Sequence, residues 1–179
     1  AFTKDWIWTG CAAAPGSAAS YLCLGPGWST AANTPFRRHK SWVHEGGIST
    51  PLIAHWPQGI RAKGEVRSQF HHVVDIAPPV YEVLGITPPK VVNGNEQISI
   101  DGVSLAYAFA DAAAPGRKRE QFFDNNGSRG IYADGWFAGT FGPFVPWDTP
   151  GSAQRIASWD SAKDQWELYD LSKDFSQAD

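Results

Sequence analysis

The chain has 179 residues, 42% of them hydrophobic and 18% charged, with a formal net charge of −3. That length suits one domain, or the end of a large domain followed by a small one, with enough apolar material for a core. A slightly acidic chain lacks the basic face of a nucleic-acid binder, and no apolar run reaches the length of a spanning helix, so neither nucleic acid nor a membrane span is expected.

The chain opens Ala1-Phe2-Thr3-Lys4-Asp5, and Met is absent throughout. This reads as a fragment or processed product, with any export signal upstream. Residues 1–35 are rich in Gly, Ala, Ser and Pro and are expected to be irregular. Cys11 and Cys23 lie within them. They either close one bridge, worth about 3 kcal/mol in the chain-entropy model, or stand as two thiols.

Phe36-Arg37-Arg38-His39-Lys40 follows, then Glu45-Gly46-Gly47, whose paired glycines imply a tight turn or a close backbone approach. Arg37 and Arg38 either contact an anion or cover neighbouring aromatics. Leu52-Ile53-Ala54-His55-Trp56, between Pro51 and Pro57, reads as a short buried strand with His55 a hydrogen-bonded core residue. Asp75 is placed to cap a helix over 76–84. Pro78 and Pro79 fall in its first turn, Val80, Val83 and Leu84 form its apolar face, and Gly85 stops it. His71, His72 and Asp75 have a spacing compatible with a metal, but packing at the helix entry is the favoured reading. A second short helix is expected around Leu105, Ala108 and Phe109.

The last third reads as strands at 121–123, 129–132, 136–141 and 166–171, with Asp134-Gly135 as a hairpin turn. Trp166, Leu168 and Tyr169 are available to pack. Asp124-Asn125-Asn126-Gly127 lacks the oxygen ligands of a calcium loop and reads as a turn. Of the nine tryptophans, Trp56, Trp136 and Trp166 are expected as core anchors within strands. Trp28, Trp42 and Trp147 sit in loop-like contexts as candidate pocket walls.

The order Phe36-Arg37-Arg38-His39-Lys40-Ser41-Trp42-Val43-His44-Glu45-Gly46-Gly47-Ile48-Ser49-Thr50-Pro51 resembles the segment of sulfatases in which a lysine precedes a Glu-Gly-Gly turn leading into a strand of the main sheet. The likeness continues at His72-Val73-Val74-Asp75-Ile76-Ala77-Pro78, Asp101-Gly102-Val103-Ser104-Leu105, Arg129–Trp136 and Trp166-Glu167-Leu168-Tyr169-Asp170-Leu171. These pieces cover most of residues 24–175 in family order.

The resemblance implies an α/β fold: the end of an alkaline-phosphatase-like α/β sheet domain over 1–110, followed by a small C-terminal antiparallel sheet domain over 111–179. It implies hydrolysis of sulfate esters by a formylglycine nucleophile, made inside a Cys/Ser-x-Pro-x-Arg sequence, with a calcium ion neutralising the sulfate. Neither Cys11, followed by Ala12-Ala13-Ala14, nor Cys23, followed by Leu24-Gly25-Pro26, fits that sequence. Lys4-Asp5-Trp6-Ile7-Trp8 stands where the family carries a Ser-Asp-Asn-Gly metal turn, and an indole cannot replace an Asn ligand. The modification and the calcium ligands are therefore expected outside this chain, and no metal ligand is assigned within it. An upstream sulfatase segment or another chain is expected to complete the sheet.

Lys40 matches the family's catalytic lysine by position, five residues ahead of Glu45. A fixed ammonium suits a sulfate ester, which pushes negative charge onto the bridging oxygen as the S–O bond breaks. His39, Trp42 and His44 flank Lys40 and are candidates for lining the substrate pocket. Two alternatives stand beside this reading: a non-catalytic binding or scaffold fragment of the same ancestry, and a phosphoester or phosphonate hydrolase of the same superfamily. A periplasmic or secreted location is favoured over a cytoplasmic one.

Overall fold

The computed structural model describes residues 17, 18 and 25–178. Asp5, Cys11 and Cys23 lie outside the described residues, and so do the expectations placed on them. In chain order the elements are α1 (Gly25–Asn33), α2 (Glu45–Ile48), a 3₁₀ turn (Val73–Asp75), α3 (Ala77–Leu84), β1 (Val91–Val92), β2 (Asn95–Glu96), α4 (Tyr107–Ala110), β3 (Glu120–Asn125), β4 (Ser128–Ala133), β5 (Trp136–Thr140), α5 (Thr149–Ala157), a second 3₁₀ turn (Ser161–Lys163) and β6 (Trp166–Asp170). They group into two compact units, residues 1–50 with 122–179, and residues 51–121.

The first unit is built on a four-stranded sheet in the order β3-β4-β5-β6. Asp134 and Gly135 take φ of 46° and 89°, the left-handed pair a two-residue hairpin needs, and join β4 to β5 with Ala133 opposite Trp136. β5 pairs antiparallel with β6, setting Phe137 opposite Tyr169 and Gly139 opposite Glu167. Side chains alternate across a strand, so Phe137, Glu167 and Tyr169 share one face. Val43 packs there with Phe137 and Tyr169 as the core, joined by Ile48, Phe123, Tyr132 and Leu171.

The other face carries Trp136, Trp166 and Leu168, which are 47%, 51% and 66% exposed. The expectation that Trp136 and Trp166 anchor the core is thus corrected. Period two puts them opposite to Phe137 and Tyr169, and Trp166 covers the Arg129 guanidinium at 5.5 Å instead. Two further corrections concern this unit. Gly25–Asn33 is helical although residues 1–35 were expected to be irregular. α1 buries no residue, so it carries no apolar period, and Thr30 and Asn33 bond back to the carbonyls of Pro26 and Ser29. Asp124 and Asn125 continue strand β3, leaving only Asn126-Gly127 as the turn.

In the second unit, Leu52–Trp56 is irregular and exposed, not a buried strand, and His55 is exposed rather than in a core. A strand is held by a ladder on its neighbour, and no described strand pairs with this segment. Trp56 is no strand anchor; its ring meets Phe109 edge-on at 6.5 Å. α3 forms as expected, with Pro78 and Pro79 near its start and Gly85 closing it at φ 65°. Val80, Val83 and Leu84 nevertheless stay at least 39% exposed. Asp75 does not cap α3. Its carboxylate is fully buried and accepts from the backbone N–H of His72 and of Val103, both at 2.7 Å, and from Lys118 Nζ at 3.0 Å. α4 forms where a short helix was expected, with Leu105 and Ala108 buried. The hairpin β1–β2 was not anticipated. Asn93-Gly94, at φ 51° and 82°, makes its turn.

No helix among the described residues is long and apolar enough to cross a membrane.

Candidate functional site

Glu45-Gly46-Gly47 is a platform rather than a turn into a strand. These residues begin the four-residue helix α2, and the Phe36–His44 loop lies across them. The Gly46 N–H donates to the Arg37 carbonyl at 2.9 Å. A Cβ on Gly46 would stand 2.1 Å from the Arg38 carbonyl oxygen, and one on Gly47 would stand 2.1 Å from that of Trp42. Such distances exclude any side chain, so the paired glycines exist to let the loop backbone lie against the helix.

That contact bends the loop sharply. Arg38 and Ser41 take φ of 68° and 91°, left-handed values that non-glycine residues adopt at a cost. Lys40 sits between them and is exposed. Its neighbours turn inward. The His39 ring is buried and stands edge-on to Trp42 at 4.8 Å. Trp147 closes this cluster at 5.3 Å from Trp42 and 5.8 Å from His39. Burial, with the Arg38 charge adding to it, holds His39 below the usual histidine pKa.

His44 is wholly buried. Its ring stacks on Phe141 at 4.3 Å and 14°, and its Nε2 lies 2.9 Å from Glu167 Oε2. Burial lowers its pKa against the pull of Glu167, so the ring is neutral near pH 7. Nε2 against a carboxylate is then the protonated nitrogen, and Nδ1 is a buried acceptor with no hydrogen-bond partner. The same Glu167 oxygen receives Arg37 Nη1 at 3.1 Å and the Tyr169 hydroxyl at 2.8 Å. Arg37 also bonds the Tyr169 hydroxyl. Burial raises the Glu167 pKa, but the bonds from His44 and Tyr169 and the Arg37 charge outweigh it and hold the carboxyl below its ordinary range. Burial and Glu167 together push Tyr169 up to about 12. Arg38 covers Trp42 at 5.6 Å and Phe141 at 4.8 Å.

The structure therefore brings Lys40, His39, Trp42 and His44 together on one bent loop. Lys40 is exposed, His39 and Trp42 pack against each other and Trp147, and His44 is bonded to Glu167 of β6. Arg37, Phe141, Glu167, Tyr169 and Trp147 complete the arrangement. Only the alternation within Trp166–Asp170 hinted at Glu167: it puts a carboxylate on the same face as the buried Tyr169, where it requires partners.

Among the described residues no group of three or more His, Cys, Asp and Glu side chains is arranged to hold a metal. Asp75, the buried carboxylate nearest to the spacing of a metal site, is already engaged by Lys118 and two N–H groups.

No family model matches the chain. Comparison with individual proteins finds partial likenesses to sulfatases, which support a relationship to that family. It is 33% identical over 106 residues to an arylsulfatase of Klebsiella aerogenes, covering 59% of this chain and 22% of that protein. It is 28% identical over 158 residues to an uncharacterized sulfatase of Schizosaccharomyces pombe, covering 87% of this chain and 25% of that protein. It is 33% identical over 73 residues to an N-acetylgalactosamine-6-sulfatase of Homo sapiens, covering 41% of this chain and 13% of that protein. The chain thus spans no more than about a quarter of the length of these curated relatives.

Proposed function

We propose that the chain is the Lys40-bearing C-terminal portion of a sulfate-ester hydrolase of the arylsulfatase kind. A formylglycine nucleophile and a calcium ion would be supplied by residues outside it, and the segment carrying them would complete the sheet. The observation that carries this reading is exposed Lys40, between the left-handed residues Arg38 and Ser41 on a loop whose backbone lies against Gly46 and Gly47. A point charge fixed there stabilises the negative charge that builds on sulfate oxygens during S–O cleavage, at little reorganisation cost. The work of an active-site lysine in a sulfatase located outside the cytoplasm would then fall to Lys40, with His39 and Trp42 shaping the surface beside it.

Two measurements test this. The 179-residue chain should show no aryl-sulfate turnover with or without calcium, because an ammonium without a nucleophile cannot supply covalent catalysis. In the complete enzyme Lys40→Ala should lower kcat/KM by about 2–4 kcal/mol of transition-state stabilisation, and Lys40→Arg should restore only part of it. Calcium-dependent turnover by the chain alone, or full activity of Lys40→Ala, contradicts the proposal. A preference for phosphate esters over sulfate esters would replace it with a phosphohydrolase of the same kind.

A further inference from the structure

We propose that Glu167 is a positioning residue for Lys40: a carboxylate on the closing strand that fixes the catalytic turn by holding it on both sides. The inference rests on the reading of Lys40 given above and assigns to that site a residue more than a hundred positions away in sequence.

Three donors converge on the single oxygen Glu167 Oε2: Arg37 Nη1, His44 Nε2 and the Tyr169 hydroxyl. Two of them bracket Lys40, Arg37 ahead of it and His44 behind it. The third, Tyr169, belongs to β6 like Glu167, so the hub is fixed to the sheet through the β5–β6 ladder. The C-terminal tail repeats the pattern. The Arg37 N–H donates to the Ser176 carbonyl at 2.9 Å, and the Glu45 N–H donates to Gln177 Oε1 at 2.8 Å. Between these anchors stand the two left-handed residues Arg38 and Ser41. Left-handed non-glycine residues persist only where the surroundings over-determine them, and Glu167 supplies the charged part of that restraint. Glu167 does not reach the reacting atoms. Its effect passes through the place of the Lys40 ammonium, and a displacement of about 1 Å in a catalytic group can cost about 100-fold in rate.

The test is a double-mutant cycle in the complete enzyme with an aryl sulfate as substrate. Glu167→Gln should lower kcat by about 10-fold and Glu167→Ala by about 100-fold, with KM changed by less than about 3-fold. In the Lys40→Ala background either Glu167 substitution should change kcat by less than about 2-fold, because residues acting as one unit are not additive. A merely structural glutamate gives losses that multiply, and multiplied losses overturn the inference, as does full kcat in both Glu167 variants. If Glu167→Ala does not fold, Glu167→Gln carries the cycle, since it keeps the shape and an acceptor oxygen. Full activity of Lys40→Ala overturns the reading of Lys40. A large loss at Lys40 together with multiplied losses overturns the role of Glu167 alone.

Discussion

Two carboxylates organise this chain, and they do so differently. Asp75 is fully buried and takes two backbone N–H groups and one lysine. Glu167 has a side chain about one-third exposed and takes three side-chain donors, two of them from the loop that carries Lys40. Burial alone would raise the pKa of both, and in both the donors prevail and hold it down. The lesson is one of leverage. A carboxylate that gathers backbone fixes the path of its own neighbourhood, whereas one that gathers long side chains can hold a distant loop in a chosen shape.

The largest expected effect sharpens this contrast in stability. Asp75→Ala strands the buried Lys118 ammonium and two N–H groups and should cost about 3–5 kcal/mol, read as a fall in Tm. Glu167→Ala unpairs the buried His44 and Tyr169 donors at a site whose own side chain is about one-third exposed, and should cost less, about 2–3 kcal/mol, while in the complete enzyme it should lower activity further. Equal Tm losses at the two sites would erase the distinction.

Next in size is the platform. Gly46→Ala and Gly47→Ala each drive a methyl group into a backbone carbonyl and should destabilise by about 3 kcal/mol. A variant that tolerates the methyl group without a lower Tm would show that the loop does not lie on α2 as described.

The smallest effect is in pH. His44 has its pKa lowered in the folded state, so the native protein binds fewer protons than the unfolded chain once pH falls below the ordinary histidine value of 6.5. Its contribution is present above that pH and is lost as pH falls through the folded value. Glu167 and Asp75, also lowered, add to the loss further into acid. Glu45, whose pKa burial raises, works in the opposite sense. Denaturation midpoints measured from pH 7 down to pH 5 should therefore decline, and His44→Gln should flatten that decline. An unchanged slope would remove His44 from the account.

The sequence made some of this legible and hid the rest for physical reasons. The Asp134-Gly135 hairpin and the Gly85 stop are written in residues whose backbone freedom is local, and both form where expected. The close approach at Gly46-Gly47 was also visible, but what approaches them was not, since the carbonyls of Arg38 and Trp42 carry no side-chain signature. Leu52–Trp56 has strand composition without a strand, because composition cannot supply a ladder partner. Trp136 and Trp166 misled because bulk suggests burial while alternation decides it. The Glu167 hub was the least legible part. Its partners come from the 36–44 loop and from β6, and nothing within either segment reveals that they meet.

The bend around Lys40 also has an equilibrium consequence. Arg38 and Ser41 hold left-handed backbone that glycine would adopt freely. Glycine at those positions would make the turn easier to fold and easier to unbend. With arginine and serine there, the turn accepts a less stable backbone ground state in exchange for a narrower one. Stability and backbone rigidity are thereby set against each other within four residues, Arg38 to Ser41.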